Sequence, residues 1–250
     1  MGIFEFEIFF NTFCELTKPY LRGLRREIRS SKAKVYSVHP FSSAIEPFMF
    51  FSDYERRFTD MLDLYKSYFE AARYLGANVV VIHGDKLPGR VQDEKYIERF
   101  WTIAECGAKM GVTVGQENVN LHRSQNPDFL VKMKQQMGER AKFVFDIKQS
   151  IRAGHDPYEF VQKLGDSIVH VHANDNSAVR DCLLPGKGNM DYYKMQSIME
   201  RNGSDPTWVV EVYRSDFDNL SEIRDSVQYM NELLFPEVQN APKKRGMIWR

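Results

Sequence analysis

The chain has 250 residues, 43% hydrophobic and 27% charged, with 34 basic and 34 acidic side chains and therefore no formal net charge. That composition fits a soluble globular protein with a sizeable core; the charge balance offers no basic footprint for nucleic acid and no charged tail beyond Lys243-Lys244-Arg245. Three scattered cysteines, Cys14, Cys106 and Cys182, read as reduced thiols of a cytoplasmic protein, and no run approaches the ~20 apolar residues of a membrane span.

Residues 4–8 alternate apolar side chains with Glu5 and Glu7, a strand pattern without the basic start of a signal peptide. Residues 35–39 form a second strand ending on His39, followed by a loop rich in Phe41, Phe48, Met49, Phe50 and Phe51. Such a loop walls a substrate pocket, covers a mouth, packs against another subunit or forms a satellite hydrophobic cluster. Phe58, Met61, Tyr65, Tyr68, Phe69, Ala72 and Leu75 then recur at helical spacing up to Gly76. Residues 79–83 make a strand ending on His83. Ile97, Phe100, Trp101, Ala104 and Ala108 predict a helix closed by Gly111, before a strand ending at Gln116-Glu117. Residues 143–146 end on Asp146, and Asp156-Pro157 opens a helix that Gly165 closes. Residues 168–172 carry His170 and end on His172. Asp191 opens a helix with Met195, Ile198 and Met199 on its apolar face; residues 208–211 end on Glu211; and Ser221 opens a last helix through Leu234.

Strands alternating with helices predict βαβ units, and strands apolar almost throughout predict a parallel sheet covered on both faces. No Gly-rich turn of the GxGxxG kind follows any strand, and no linker or low-complexity tract divides the chain. The expected fold is therefore one α/β domain over residues 1–250, a (β/α) TIM-type barrel. Seven strands are recognisable, one short of the usual eight: either the usual first βα unit is missing, which is the expectation, or some other segment closes the gap; residues 246–249 are too short to assign. An open sheet edge at such a gap invites pairing with a second copy, hence a homodimer.

Six of these strands end on residues that can bind a metal. In a parallel barrel the strand ends converge on one rim, where such barrels keep their chemistry. Glu117, Asp146, His172 and Glu211 together are three carboxylates and an imidazole, a donor set for one divalent ion such as Mn²⁺, Mg²⁺, Co²⁺ or Zn²⁺. Taken singly, each has an ordinary explanation: a cap, a turn, a core histidine, or an ion pair with Arg214. Three carboxylates on one rim without a cation would repel one another, and a metal removes that conflict. His39 and His83 suit a substrate, a second metal or a structural place at the rim. His170, two residues before His172, shares its face one layer deeper and suits a buried hydrogen-bonded role. His122 and His155 show no convergent partner. The turn Pro185-Gly186-Lys187-Gly188 precedes a helix start, so its amides and Lys187 form either a simple turn or an anion cradle.

The segments Ile82-His83-Gly84, Gln116-Glu117-Asn118, Phe145-Asp146-Ile147-Lys148-Gln149, His172-Ala173-Asn174-Asp175, Pro185-Gly186-Lys187-Gly188 and Val210-Glu211 resemble those of the xylose isomerase-like TIM barrels. This superfamily holds sugar and sugar-phosphate isomerases and epimerases together with apurinic-site endonucleases. The resemblance runs from Glu7 to Glu211, and because members usually begin with one more βα unit it agrees with the missing strand. It implies a single divalent metal on Glu117, Asp146, His172 and Glu211, as in the ketose 3-epimerase branch. The same branch implies that Glu117 and Glu211 form the acid/base pair that moves a proton at a sugar carbon through a metal-stabilised enediolate. His39, His83, Gln149, Arg180 and Lys187 are then the expected substrate contacts. The endonucleases hold three zinc ions with extra His and Asp ligands. Where those are expected this chain has Gln149, Arg180 and Cys182, so a trinuclear site looks dismantled. The epimerases usually have a His at Gln149 and an Arg where this chain has Ala178. The expected activity is a metal-dependent isomerisation or epimerisation of a small sugar or sugar phosphate, with neither nucleic acid nor membrane as partner. Alternatives are a cyclic-polyol (inosose-type) dehydratase, a non-catalytic sugar- or metal-binding barrel and, last, an apurinic-site endonuclease.

Overall fold

A computed structural model describes residues 3–235 and 248–249. Eight parallel strands follow one another in sequence order around a closed barrel: β1 (Glu5–Phe9), β2 (Lys34–His39), β3 (Val79–Ile82), β4 (Thr113–Glu117), β5 (Phe143–Asp146), β6 (Ile168–Ala173), β7 (Thr207–Val210) and β8 (Ile248–Trp249). The seven strands expected from the sequence are present, and the TIM-type barrel stands. The eighth place, which the expected loss of a first βα unit left open, is filled from the other end of the barrel. There β1 is itself the first strand, and β8 pairs with both β7 and β1. Two residues cannot display a period, so no pattern marks β8 in the sequence. With the ring closed, the open edge that suggested a homodimer is gone.

The helices are α1 (Lys18–Ser30), α2 (Glu46–Met49), α3 (Glu55–Leu75), α4 (Asp93–Lys109), α5 (Pro127–Met137), α6 (Ile147–Arg152), α7 (Pro157–Leu164), α8 (Tyr192–Arg201) and α9 (Leu220–Leu234). None among the described residues is long and apolar enough to cross a membrane. Gly76 ends α3 at φ 96°, a left-handed cap that glycine adopts without a Cβ penalty. The Asp156 side chain caps α7 by accepting from Tyr158 N at 2.7 Å. Four of these helices are not foreseen from the sequence: α1, α5 and the short α2 and α6. In α1, Leu21, Leu24 and Ile28 are the only core-facing residues among many arginines. In α5 the start signal is legible in retrospect: Asn126 caps it and Pro127 takes the first position.

Strand residues two apart share a face. The outward set, including Val80, Ile82, Val114, Phe143, Phe145, Val171, Trp208 and Val210, packs under the helices with Phe69, Phe100 and Leu130 in the main core. Val79, Val81 and Val144 form a separate small cluster. Each buried Val, Leu or Phe contributes roughly 1.5–3 kcal/mol by leaving water. The inward set therefore ends, strand by strand, on His39, His83, Glu117, Asp146, His172 and Glu211. The register pairs Asp146 directly with His172.

Phe50 and Phe51, in the loop after His39, are fully buried. Phe51 stacks on Tyr96 with centroids 4.1 Å apart, and Phe50 meets Tyr65 edge-on at 4.8 Å. This part of the loop is core, whereas Phe48 is half exposed beneath the Arg90 guanidinium.

Candidate metal centre

His172 Nδ1 lies 2.7 Å from Glu211 Oε2, 3.1 Å from Glu117 Oε1 and 3.8 Å from Asp146 Oδ2. One donor atom from each of these four side chains falls within 4.8 Å of all the others. Glu117, Asp146 and His172 are buried, while Glu211 keeps 16% of its side chain exposed and forms the open side of the group. The positions are fixed by the strand ends. Asn118 donates to Asp146 O at 2.9 Å and accepts from Asp146 N at 2.6 Å, locking the end of β4 to the end of β5. Asp146 Oδ1 accepts from Asn174 Nδ2 and from Gln149 N, both at 3.2 Å. Glu211 N donates to Ala173 O at 2.9 Å, continuing the β6–β7 ladder.

A second donor group shares Glu117. His83 Nε2 is 2.9 Å from Glu117 Oε2 and 2.9 Å from His39 Nε2, and His39 Nε2 is 3.5 Å from the same oxygen. A third lies a layer deeper: Glu7 Oε2 is 3.4 Å from His172 Nε2 and 3.5 Å from His170 Nε2. His170 itself bonds Thr207 Oγ1 at 2.6 Å and Ser37 Oγ at 3.2 Å, the buried hydrogen-bonded role expected for it.

The electrostatics follow from burial and crowding. Burial raises the Glu117 carboxyl, but the imidazoles of His172 and His83 outweigh it and hold the group well below the usual carboxylate range. Burial likewise raises Asp146; Lys148 opposes this and Glu211 adds to it, leaving it raised. Burial disfavours a charged His172, yet Glu211, Glu7 and Glu117 around it lift it well above an ordinary histidine. Such a group is built for positive charge, and a cation among the oxygens would take over what the imidazolium supplies.

The structure brings His39 and His83 to Glu117. It does not bring Gln149, Arg180 or Lys187 into any of the donor groups. The Gln149 side chain accepts from Asn120 N at 3.0 Å. Arg180, half exposed, bonds Asp216 at 2.9 Å. Lys187 is exposed, and the amides of its turn are turned inward: Asp175 takes Gly186 N at 3.0 Å and Met190 N at 2.9 Å. An anion cradle is thus not formed there, because a carboxylate already occupies those donors. His122 departs from expectation, since its ring stands 6.0 Å from that of His83.

Three buried groups around the site were not assigned a part from sequence. Lys148 bonds Asp146 Oδ2 and, at 3.1 Å, Glu211 Oε2. In the sequence Glu7 is only part of a strand's alternation; in the barrel its side of β1 faces inward, and it is buried beside His170 and His172. Glu46, on α2, accepts from Tyr65 OH and, at 2.6 Å, from Gly84 N, and so fixes the backbone beside His83. Nothing in a lone Glu of a Phe-rich loop announces this; only the folding of α2 against α3 does.

Burial raises the Glu46 carboxyl to about 7, against the lowering pull of His83, Tyr65 and Gly84. Because the folded value lies above the unfolded 4.5, the native state binds the extra proton between about pH 4.5 and 7. This contribution to stability is full below pH 4.5 and is lost as pH rises through 7. Glu46→Gln should remove that loss. It is expected to match the parent at pH 4.5 and to exceed it in denaturant melts at pH 8, by up to about 3 kcal/mol from 1.36 kcal/mol per unit. Equal stabilities at pH 8 would count against a buried, proton-binding Glu46.

The sequence profile of the family described as "Xylose isomerase-like TIM barrel" matches residues 2–233. An uncharacterised protein of Methanocaldococcus jannaschii is 30% identical over 156 residues, 57% of this chain and 53% of that protein. The chain spans about half the length of the curated relatives it matches. Among solved structures, a D-tagatose 3-epimerase-like protein superposes with a TM-score of 0.74 at 23% identity, covering 96% of this chain and 91% of that one. The D-psicose 3-epimerase of Clostridium cellulolyticum H10, solved with D-tagatose, gives 0.73 at 12% identity over 93% and 90%. These structural likenesses establish a shared fold. The chain belongs to the xylose isomerase-like TIM-barrel family.

Proposed function

We propose that this xylose isomerase-like TIM barrel is a divalent-metal-dependent isomerase or epimerase of a small sugar or sugar phosphate. The observation that carries the reading is the convergence of Glu117, Asp146, His172 and Glu211 within 4.8 Å at one rim of the barrel. Solved epimerases of ketoses share the fold, which supports the same class of chemistry.

The residues fit a divalent ion. Three hard oxygen donors and one imidazole satisfy its coordination preferences. His172 offers Nδ1 to the oxygens while its Nε2 faces the buried Glu7, the arrangement in which a carboxylate fixes the tautomer of a ligating histidine. Glu117 turns its second oxygen to His83 and His39, a further group able to hold a cation or a substrate hydroxyl. A bound divalent ion supplies Lewis-acid polarisation of a substrate carbonyl. Glu117 on β4 and Glu211 after β7 stand three strands apart around the eight-strand ring, on different sides of the mouth. From there one carboxylate removes the proton next to the carbonyl and the other returns one to the opposite face. His39 and His83 hold hydroxyls beside Glu117. Asp146 and His172 orient the ligand set.

Cys182 is buried, and its thiol is pushed up to about 12 by burial and by a hydrogen bond to Asp216. With Arg180 also on Asp216, a neutral thiol and a cation stand where the endonuclease reading needs further zinc donors. That supports a small-molecule enzyme over a nuclease.

The test is metal content of the purified chain together with deuterium wash-in from solvent into a panel of ketoses and ketose phosphates, with Mn²⁺ present. Incorporation at one carbon, lost on EDTA treatment and restored by Mn²⁺, is expected. A chain that binds no divalent ion and exchanges no proton in any member of the panel would sink the proposal.

A further inference from the structure

The donor group already contains a cation of its own. Lys148 is 2% exposed, and its ammonium bonds Asp146 Oδ2 and Glu211 Oε2, the latter at 3.1 Å. The same two oxygens face His172 Nδ1, at 3.8 and 2.7 Å. Lys148 therefore holds two of the three carboxylate oxygens that the metal reading needs. Its place is set by local structure. Asp146 ends β5 and caps α6, accepting from Gln149 N at 3.2 Å, so a residue two further on emerges within reach of that carboxylate.

We propose that Lys148 is an internal counter-ion of this centre, which bridges Asp146 and Glu211 when no divalent ion is bound and must be displaced from them for one to bind. The inference rests on the metal-centre reading of the same four donors and adds what sets its affinity. A buried pair of carboxylates with no cation is costly, and a buried ammonium with no anion equally so. One lysine resolves both in the metal-free chain, at the expense of competing with any incoming ion for the same lone pairs. The displaced ammonium has somewhere to go. The Tyr213 ring lies 5.8 Å from Nζ, and Tyr213 lines a cavity of about 510 Å³ with Arg152, Ser177, Asp181 and Asp216. Aromatic faces attract ammonium groups, and the two carboxylates lining the same cavity, Asp181 and Asp216, are each paired with an arginine there, Arg152 at 2.6 Å and Arg180 at 2.9 Å. Lys148 thus exchanges between the Asp146 and Glu211 oxygens and the Tyr213 side of that cavity, and the divalent-ion concentration decides which it occupies.

The test is Mn²⁺ titration, followed by calorimetry and by the EPR signal of free Mn²⁺, of the parent chain, Lys148→Met and Lys148→Arg. Lys148→Met keeps the stem and removes the competing charge, so it should bind Mn²⁺ at least about tenfold more tightly, a typical size for coupling between two ligands of one site. Lys148→Arg keeps the charge and should stay within about threefold of the parent, well inside that coupling range. The parent binding Mn²⁺ while Lys148→Met binds it equally or more weakly would overturn this inference and leave the metal centre standing. No Mn²⁺ binding by any of the three would overturn both. Lys148→Arg tightening as much as Lys148→Met would also overturn it, since charge would then not be the competitor. Should Lys148→Met not fold, the parent chain suffices. Amine-selective labelling of Lys148, read by mass spectrometry, is expected to rise when Mn²⁺ is added, and an unchanged yield overturns the exchange.

Discussion

Glu211→Gln is expected to lower the rate of solvent-proton exchange into a ketose substrate by about three orders of magnitude, the middle of the range for losing a positioned acid or base. The substitution conserves shape, and Glu211 keeps 16% of its side chain exposed, so the fold should hold. What changes is charge: the amide neither removes a proton nor balances His172 Nδ1 at 2.7 Å and Lys148 Nζ at 3.1 Å. Glu117→Gln should cost a similar factor, with an added loss of stability. The Glu117 carboxylate is fully enclosed among His39, His83 and His172, and removing one partner of a buried charge group typically costs about 3–5 kcal/mol. The two variants also separate the faces of the sugar. If one carboxylate serves each face, either substitution stops interconversion, while slow exchange survives from the one epimer whose proton faces the remaining base. Measuring deuterium wash-in from each epimer separately reads this directly. A Glu211→Gln chain with more than a tenth of the parent rate from both epimers would remove Glu211 from the proton-transfer role.

The second large effect is on stability. Gly84, directly after His83, has φ 82°, in the region where an L side chain is strained by roughly 1–2 kcal/mol. A Cβ built on it would lie 2.1 Å from Tyr96 OH and 3.0 Å from Gln116 Oε1. Tyr96 cannot swing clear. It is fully buried, stacked on Phe51 at 4.1 Å and edge-on to Phe129 at 5.2 Å. Overpacking of that kind adds roughly 1–3 kcal/mol, so Gly84→Ala should destabilise by about 3 kcal/mol and lower the melting temperature by about 10 °C for a chain of this size. The disturbance reaches the site, because Gln116 Nε2 donates to Ile82 O at 3.1 Å, His83 O at 2.9 Å and Glu117 O at 3.0 Å. Tyr96→Phe in the same chain should recover part of the loss, since it deletes the clashing oxygen and neighbouring substitutions are not additive. A melting temperature within about 2 °C of the parent would show that the loop relaxes freely around the new methyl.

How far the residues announce this arrangement depends on the kind of signal. The seven longer strands and most helices are legible because period 2 and period 3.6 are written locally, in runs such as residues 79–83 and in the spacing of Phe58, Met61 and Tyr65. The rim residues are legible for a related reason. In a parallel barrel, the last inward position of each strand is also the first at which apolar character gives way. His39, His83, Glu117, Asp146, His172 and Glu211 could therefore be picked out as a set before any coordinates. Their grouping, among the described residues, into one four-donor and two three-donor clusters, with Glu117 and His172 each shared by two, could not.

Length, composition and strand-end chemistry thus determine a parallel α/β barrel and name the residues at its mouth, because covalent neighbours and short-range periodicity are enough to specify both. Tertiary structure alone decided the rest. It placed two residues from the far end of the chain as β8 between β7 and β1, turned Glu7 inward beneath His172, brought Glu46 to Gly84, and set Lys148 on Asp146 and Glu211. Each of these is a contact of strand register, helix docking or side-chain burial between elements remote in sequence. Its free energy depends on distances and desolvation that no local pattern carries.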